Sequence, residues 1–265
     1  RGVPRLLTGT LAGPEQQTQE RFGFEWQWYR NTNRVFGVEF WDYLKPLEVE
    51  DLCGKAVLDA GCGNGRFAIA AAAAGAKAVI GLDFSLSVEV AFEAARGVPN
   101  LHIVQGDILK PPVKKEMDLI YSIGVLHHLE NPKGGFEKLV PYLAPGGTIA
   151  VWVYSKEGNE WFLRWVEPVR RVVTAKLPPA LVKILAFPPA VFLWLEAALI
   201  RSPLGKRLRL PLHEYLSFQG QFGFGYLWLT AFDKLVAPTA FYLTEKEVRE
   251  WLKMSSLQDS VISFR

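Results

Sequence analysis

The chain has 265 residues, 49% of them hydrophobic, which is enough apolar material for one large α/β domain or for one domain with a substantial insertion. A formal net charge of +3 is too small to indicate a nucleic-acid partner by itself. Two cysteines, Cys53 and Cys62, exclude a disulfide framework and a zinc site built from cysteine alone. We expect both thiols to be reduced, as in a cytoplasmic protein. We also expect no signal peptide, because no apolar core follows Arg1–Arg5.

The N-terminal part combines a polar segment with a dense aromatic cluster. Residues 8–21 carry Gly13-Pro14 and a Gln/Glu run, which predicts a linker. Aromatic side chains crowd residues 22–29 and continue through a helical pattern to Leu44. This helix can cap the domain with its aromatic face buried, or it can cover a ligand. In the second interpretation Trp26 and Tyr29 lie near the ligand.

The segment Ala56–Ala68 predicts a strand, a glycine-rich turn and a helix, the opening of a nucleotide-binding βαβ unit. Its pattern is D-x-G-x-G-x-G, and Arg66 stands where a dinucleotide fingerprint has its third glycine. Asp59 at the strand end would repel a pyrophosphate but can accept a hydrogen bond from a ligand ammonium group. This disfavours an NAD-dependent oxidoreductase. The candidate binding residues of the turn are Asp59, Gly61, Cys62, Gly63 and Gly65.

Strand and helix patterns then alternate, which predicts a parallel sheet. The expected helices cover residues 66–74, 87–96 and 129–143, and the expected strands cover residues 56–60, 78–83, 101–105, 117–122 and 148–153. Ligands of open α/β sheets lie outside the carboxyl ends of the strands. The residues at those ends therefore form the predicted rim of one site.

Each strand end suggests a contact and a structural alternative. Asp83 can accept hydrogen bonds from ribose hydroxyls, or it can cap a helix; Phe84 and Ser85 follow it. Asp107 can accept from an adenine amino group while Ile108 packs on the ring, or it can form an Asx turn. At the fourth strand, Asp118 is expected to be structural, and the candidate binding residues are Ser122, Ile123 and Gly124.

His127 and His128 follow the fourth strand and cannot both face a pocket, since neighbours on a helix point about 100° apart. One of them can act as a general base, because the ordinary pKa of histidine, about 6.5, suits proton abstraction. Alternatively, the histidine only bonds the backbone.

These motifs together resemble the class I S-adenosylmethionine (SAM)-dependent methyltransferases. The resemblance covers about residues 22–154: the D-x-G-x-G-x-G turn, the strand ending in Ser122–Gly124 before Leu126-His127-His128, the turn Pro145-Gly146-Gly147 and an N-terminal F-G-x-E-W cap. It implies an α/β, Rossmann-like fold with a mostly parallel twisted sheet and SAM as cofactor. It assigns Asp83 to ribose and Asp107 to adenine, and it places the aromatic cap near the sulfonium. Residues 2–7 resemble the last strand of zinc-ribbon modules that precede some bacterial methyltransferases.

The expected organisation has four parts. Residues 1–54 form the linker and cap, residues 55–154 the SAM-binding core, residues 155–243 a helical insertion after strand five, and residues 244–265 the last helix and an edge strand. Thr244 and Glu247 have the spacing of a capping box.

The insertion is the main departure from the family pattern. Residues 155–211 contain ten Lys or Arg and four Glu, and they are otherwise strongly apolar. Pro188-Pro189 interrupts the segment Ala180–Ile200, so we do not expect it to span a membrane. Three interpretations remain: a lid forming the acceptor pocket, a surface for peripheral membrane contact, or a homodimer interface. The basic cluster Lys206, Arg207 and Arg209 can also meet an anionic acceptor.

The sequence therefore predicts a SAM-dependent methyltransferase acting on a small-molecule, sugar or lipid-linked acceptor, without a metal ion. A SAM-binding regulatory or assembly subunit and an RNA methyltransferase are the alternatives. A nucleic-acid partner is not expected, because we find no stretch in which aromatic and basic residues form a stacking platform. The expected location is the cytoplasm or the inner face of the membrane.

Overall fold

A computed structural model describes residues 2–7, 13–30, 36–203, 205, 212–255 and 257–264. The described chain divides into two compact units: residues 1–164 with residues 239–265, and residues 165–238.

The first unit is built on a parallel sheet, as the sequence predicts. Within the described residues it has five strands in the order β3-β2-β1-β4-β5, and all the neighbouring pairs are parallel. The strands are β1 (Ala56–Ala60), β2 (Ala78–Asp83), β3 (Leu101–Gln105), β4 (Met117–Ile123) and β5 (Leu143–Trp152). The expected turn at residues 145–147 falls inside β5, where the register against β4 shifts and Gly146 has φ +76°.

Helices cover both faces of this sheet. Side chains alternate along β1, so that Val57 belongs to one apolar cluster and Leu58 to the other. The helices of this unit are α1 (Pro14–Trp28), α2 (Phe36–Leu44), α3 (Val49–Leu52), α4 (Arg66–Ala73), α5 (Ser87–Ala94), α6 (Pro132–Leu139) and, at its C-terminal end, α12 (Glu245–Met254). Phe40 and Phe67 are buried on the first face, and Phe136 and Trp251 on the second.

Three local expectations are wrong. Residues 14–21 are not a linker, because α1 begins at Pro14, where a proline at the first helical position is favoured and the Gln/Glu run has good helix propensity; residues 8–12 lie outside the described part. Leu126–His128 forms a separate 3-10 turn and does not open α6, which starts at Pro132 with Asn131 as its cap. Residues 257–264 form no strand among the described residues, and Asp259 in this segment has φ +52°, outside the strand region.

Hydrogen bonds fix two further segments of this unit. The backbone of residues 4–6 pairs with Gln105 at the edge of β3, where Leu6 donates to the Gln105 carbonyl at 2.8 Å and Gln105 donates to the Pro4 carbonyl at 2.8 Å. At α12 the predicted capping box is confirmed: the Glu247 N–H donates to Thr244 Oγ1 at 3.2 Å, and the Thr244 N–H donates to Glu247 Oε2 at 2.7 Å.

The second unit is helical. Most of α7 (Glu160–Val172) belongs to it, followed by α8 (Pro179–Leu185), α9 (Phe187–Arg201), α10 (His213–Gln219) and α11 (Phe224–Val236). Ala197, Ile200, Leu216 and Leu227 form its apolar cluster. The helical structure of residues 180–200 is interrupted only at Ala186, between α8 and α9. Pro188 and Pro189 do not break it, because they occupy the first turn of α9, where a missing N–H costs nothing.

Candidate functional site

The glycine turn after β1 is held against the end of β2. Gly61 and Cys62 both donate their N–H groups to the Leu82 carbonyl, at 2.7 and 3.0 Å. Gly61 has φ +102°, and a Cβ there would lie 2.3 Å from a methyl group of Val125. Gly65, at φ +82°, precedes the first residue of α4. The turn therefore requires glycine for its backbone shape and for close packing.

Cys62 contributes its backbone to the turn, while its side chain belongs to the core. The thiol is buried and lies where a Cβ on Gly81 would approach it at 3.2 Å. Burial, together with the charges of Asp83 and Asp59, raises the pKa of Cys62 well above its ordinary value. The thiol is therefore protonated and unreactive.

Asp59 is a buried carboxylate at the end of β1. It is 2% exposed, and its Oδ2 accepts no hydrogen bond of standard geometry from the described residues. Burial raises the pKa of Asp59 to about 8; the Tyr121 hydroxyl lowers it, the Asp83 charge raises it, and Arg66 lowers it. A cationic donor at this position would supply the missing hydrogen bond and stabilise the charge. The arrangement fits the ammonium group of an amino-acid ligand.

Asp83 lies at the neighbouring strand end and is anchored by backbone N–H groups. Gly63 donates to its Oδ2 at 2.9 Å and Ser85 to its Oδ1 at 2.8 Å. Because a carboxylate oxygen can accept two hydrogen bonds, both oxygens retain capacity for ligand hydroxyls. Asp83 is therefore held in place and remains a suitable acceptor.

Phe84 and Ser85 shape the loop beyond Asp83. The Phe84 carbonyl accepts from Gln19 Nε2 at 2.8 Å and from Gln105 Nε2 at 3.0 Å. The buried Ser85 hydroxyl bonds that of Ser87 at 2.6 Å. Gln19 and Gln105 are absent from the sequence prediction, since a glutamine in an ordinary helix or strand pattern carries no sign of this contact.

Asp107 forms the Asx turn that sequence reasoning gave as its alternative role. Its Oδ1 accepts from the Leu109 N–H at 2.8 Å, and the carboxylate is half-buried. Ile108 beside it is buried in the core cluster. The turn uses one oxygen, which leaves the second available to an amino donor.

The end of β4 lies next to that of β1 in the sheet. Ser122 is buried and donates its hydroxyl to the Ala60 carbonyl at 2.8 Å. Ile123 and Gly124 are half-buried; Gly124 has φ +78° and donates to the Trp152 carbonyl at 3.1 Å. Asp118 at the start of β4 accepts from the Ala56 N–H at 2.8 Å, the structural role expected from sequence.

The aromatic cap contacts the glycine turn. A Cβ on Gly63 would lie 2.9 Å from Trp26 Nε1, so the indole packs directly on this glycine. Tyr29 is buried, and its carbonyl accepts from Asn64 at 3.4 Å. The model thus places Trp26 and Tyr29 at the turn.

Arg66, which occupies the place of the third glycine in a dinucleotide motif, holds this cap. Its guanidinium lies 4.9 Å from the Trp26 ring centroid and 4.5 Å from that of Phe67, and it pairs with the buried Glu39 at 3.5 Å. Cation–π contacts of this kind stabilise by about 0.5–2 kcal/mol each. Sequence reasoning used Arg66 only to exclude dinucleotides and missed this role.

His127 and His128 lie in a cluster of aromatic rings. His127 is wholly buried, and its ring centroid is 3.9 Å from that of Tyr154. His128 Nδ1 lies 2.7 Å from the Thr239 carbonyl, and the Phe22 ring centroid is 4.8 Å from the His128 ring. Because a carbonyl only accepts, Nδ1 carries the proton and Nε2 remains free of it in the neutral ring. The backbone contact fits the structural alternative, while the tautomer leaves Nε2 able to take a proton.

The site as a whole presents two carboxylates, a glycine turn and an aromatic cap at the carboxyl ends of adjacent strands. Among the described residues no group of three or more His, Cys, Asp or Glu side chains is placed to hold a metal ion. Asp59 Oδ2, which accepts no hydrogen bond of standard geometry from the described residues, and the acceptor capacity of Asp83 fit a ligand with an ammonium group and a ribose. These are the polar parts of SAM.

Comparison with known proteins agrees with this assignment. Residues 58–151 match the family described as "Methyltransferase domain". A tRNA U34 carboxymethyltransferase of Pseudoalteromonas translucida is 30% identical over 60% of this chain and 52% of its own length. The protein of the same name from Klebsiella pneumoniae subsp. pneumoniae is 32% identical over 45% of this chain and 37% of its own.

A crystal structure of an S-adenosylmethionine-dependent methyltransferase from Mesorhizobium loti is 30% identical, with a TM-score of 0.35, over 38% of this chain and 47% of that one. The chain thus spans about half the length, or less, of the curated relatives described above. SAM is the methyl donor of methyltransferases of the matched family. The resemblance inferred from sequence is confirmed for the sheet-based part: residues 58–151 match a methyltransferase domain of the class I SAM-dependent type.

Proposed function

We propose that the protein transfers a methyl group from SAM to a small-molecule, sugar or lipid-linked acceptor. The observation that carries the donor half of this proposal is the buried Asp59 carboxylate beside Asp83 and the glycine turn. Asp59 would hold the ammonium group, Asp83 the ribose hydroxyls, and Asp107 with Ile108 the adenine. When bound, SAM supplies a methyl group on a sulfonium, which is electrophilic.

The chain's own contribution is to position and shield the reactants. Backbone bonds fix Asp83, the Trp26 ring packs on the glycine turn, and the Tyr29 carbonyl bonds Asn64 of the same turn. Aromatic faces at this position suit a sulfonium cation. Holding two reactants in line can supply most of a rate enhancement. His128 Nε2 is our candidate to accept a proton from a hydroxyl acceptor.

Titration calorimetry with SAM tests the donor half. We expect micromolar binding by the wild type and a loss of about 100-fold or more for Asp83→Ala, because two ribose hydroxyls lose their acceptor. Asp42→Ala, which removes a half-buried carboxylate on α2 that is paired with Lys45, is the matched control. Equal affinity of Asp83→Ala and the wild type would refute the assignment.

Two observations bear on the acceptor and favour different classes. The helical unit exposes an apolar surface, which supports a lipid-linked or hydrophobic acceptor. The names of the relatives, in contrast, refer to position U34 of tRNA, so RNA is the second candidate.

Measuring the release of S-adenosylhomocysteine with different extracts distinguishes a hydrophobic or small-molecule acceptor from an RNA acceptor. We expect turnover with a lipid or small-metabolite extract and none with total RNA. Turnover that depends on RNA and disappears after ribonuclease treatment would replace the acceptor proposal and leave the donor site intact. Absence of turnover with every extract, together with normal SAM binding, would favour the regulatory subunit.

A further inference from the structure

Helices α8 and α9 expose an apolar stripe that the sheet-based site does not use. At 100° per residue, Leu181, Ile184, Leu185, Phe192, Leu195 and Leu199 fall within one arc of about 100°. Ile184 is 66% exposed and Phe192 65%. A surface helix normally turns such an arc toward the core.

The opposite side of the same helices is also apolar and is already occupied. Val182, Ala190 and Ala197 are fully buried, and Ala197 and Ile200 cluster with Leu216 of α10 and Leu227 of α11. The exposed stripe is therefore not the core face of this unit. It is a second apolar face, which has no partner among the described residues.

The segment Pro179–Arg201 is long and apolar enough to cross a membrane by length and composition, yet only 22% of its apolar 18-residue window is buried. A core helix of a soluble protein that passes the same test is mostly buried. A helix whose other side packs on α10 and α11 can enter a lipid surface on one side without crossing it.

The charges near the stripe favour an anionic lipid. Lys176 precedes the stripe and is exposed. Arg201 follows it, but its guanidinium donates to the Ala197 and Gly220 carbonyls, at 3.1 and 2.8 Å, on the buried side of α9. Glu196, beside the stripe, is half-buried, and burial raises its pKa, which favours its neutral form. Lys183 lies away from the stripe, with its ammonium 5.4 Å from the Trp228 ring centroid. The sequence of residues 155–211 as a whole carries ten basic and four acidic residues. Anionic lipid headgroups attract a basic residue near the membrane surface by about 1 kcal/mol.

We propose that the α8–α9 stripe inserts into the interfacial region of a membrane containing anionic lipid. Phe192 and Ile184 enter the boundary between headgroups and acyl chains, and Lys176 contacts the headgroups. The membrane surface would then concentrate the protein where a hydrophobic or lipid-linked molecule is available, although the proposal does not depend on the acceptor.

Vesicle sedimentation of the full chain tests this. We expect binding to phosphatidylcholine vesicles containing about one third phosphatidylglycerol, at least tenfold weaker binding to phosphatidylcholine alone, and weakening with added salt. Phe192→Glu and Ile184→Glu should each reduce binding by about tenfold or more. Val38→Glu is the matched control, because Val38 is 51% exposed on α2 and lies outside the stripe.

Folding is checked separately by circular dichroism and by SAM affinity, which reports on the other unit. Wild-type protein that ignores anionic vesicles, or folded Phe192→Glu and Ile184→Glu variants that bind as the wild type does, would overturn the proposal. Sedimentation velocity without lipid supplies another decisive result. A dimer that Phe192→Glu converts to a monomer would assign the stripe to a second copy of the chain instead.

Discussion

Asp59 carries a pH dependence that can be worked out from its surroundings. Its pKa rises from the ordinary 3.8 to about 8, mainly by burial. Because the folded state binds this proton more tightly, the contribution to stability is complete below pH 4 and is lost as the pH rises toward 8. Relative to Asp59→Asn, the free energy of unfolding of the ligand-free wild type should fall by on the order of 5 kcal/mol between those limits. Urea denaturation across this range measures the difference.

Ligand binding should reverse this trend, because an ammonium group stabilises the ionised carboxylate. We expect SAM binding at pH 7 to release a proton from the wild type and none from Asp59→Asn, as measured by calorimetry in buffers of different ionisation enthalpy. Proton release that is unchanged in the variant would show that Asp59 does not face the ammonium.

The two nitrogens of His128 can be separated by substitution. Asn keeps a donor near the position of Nδ1 and removes Nε2, whereas Gln places its amide near Nε2 and loses the contact with the Thr239 carbonyl. If His128 is the base, His128→Asn should lower turnover by about 100-fold with unchanged stability and SAM affinity. His128→Gln should also unfold about 1 kcal/mol more easily. Full turnover by His128→Asn would leave only the structural role.

Helix α1 depends on a glycine in the turn that it covers. Gly63→Ala would put a Cβ 2.9 Å from the Trp26 indole at φ +53°, whereas Gly54→Ala has a similar strain, at φ +71°, and no atom within 4 Å. Both variants should lose about 1–2 kcal/mol of stability from the backbone. Only Gly63→Ala should also displace the cap and weaken SAM binding, by about tenfold or more, in calorimetry. Equal affinity of the two variants would mean that the cap is independent of the site.

The elements differ in how well the sequence predicts them, and the difference has a physical origin. The bounds of β1, β2 and β3 follow from short apolar runs that end in Asp or Gly, and these match residue for residue. The polar helix α1 and the missing strand at residues 257–264 were predicted wrongly. The Gln/Glu run of α1 has good helix propensity, which its polarity and the preceding Gly13-Pro14 obscured. Whether residues 257–264 pair as a strand depends on contacts with distant segments, which a local pattern does not record.

The candidate site shows the same division. The carboxylates and glycines at the strand ends are predictable because their spacing reflects the turn chemistry. Arg66 with Glu39, and Gln105 with Phe84, are pairings between segments distant in sequence. No periodicity records such contacts, so only the folded chain identifies them.

The two units are described separately, and they divide the problem of function. The first unit contains all the candidate SAM-binding residues and the candidate base, from Trp26 to His128. The second unit carries the exposed apolar stripe. Substitutions in one unit can therefore be controlled by measurements that report on the other. A variant in the stripe that retains SAM affinity has kept the fold of the sheet.

Gln105 gives the chain's first residues a thermodynamic link to the ligand. Its backbone pairs with Pro4 and Leu6, and its side chain bonds the Phe84 carbonyl next to Asp83. By reciprocity, a ligand that orders the Asp83 loop must also favour the docked form of residues 4–6.

Deuterium exchange should slow at the amides of Leu6 and Gln105 when SAM is added, and Gln105→Ala should abolish the effect at Leu6. Exchange at Leu6 that is indifferent to SAM would show that the two are uncoupled. If the two are coupled, amide exchange at Leu6 reports whether SAM is bound at the Asp83 loop.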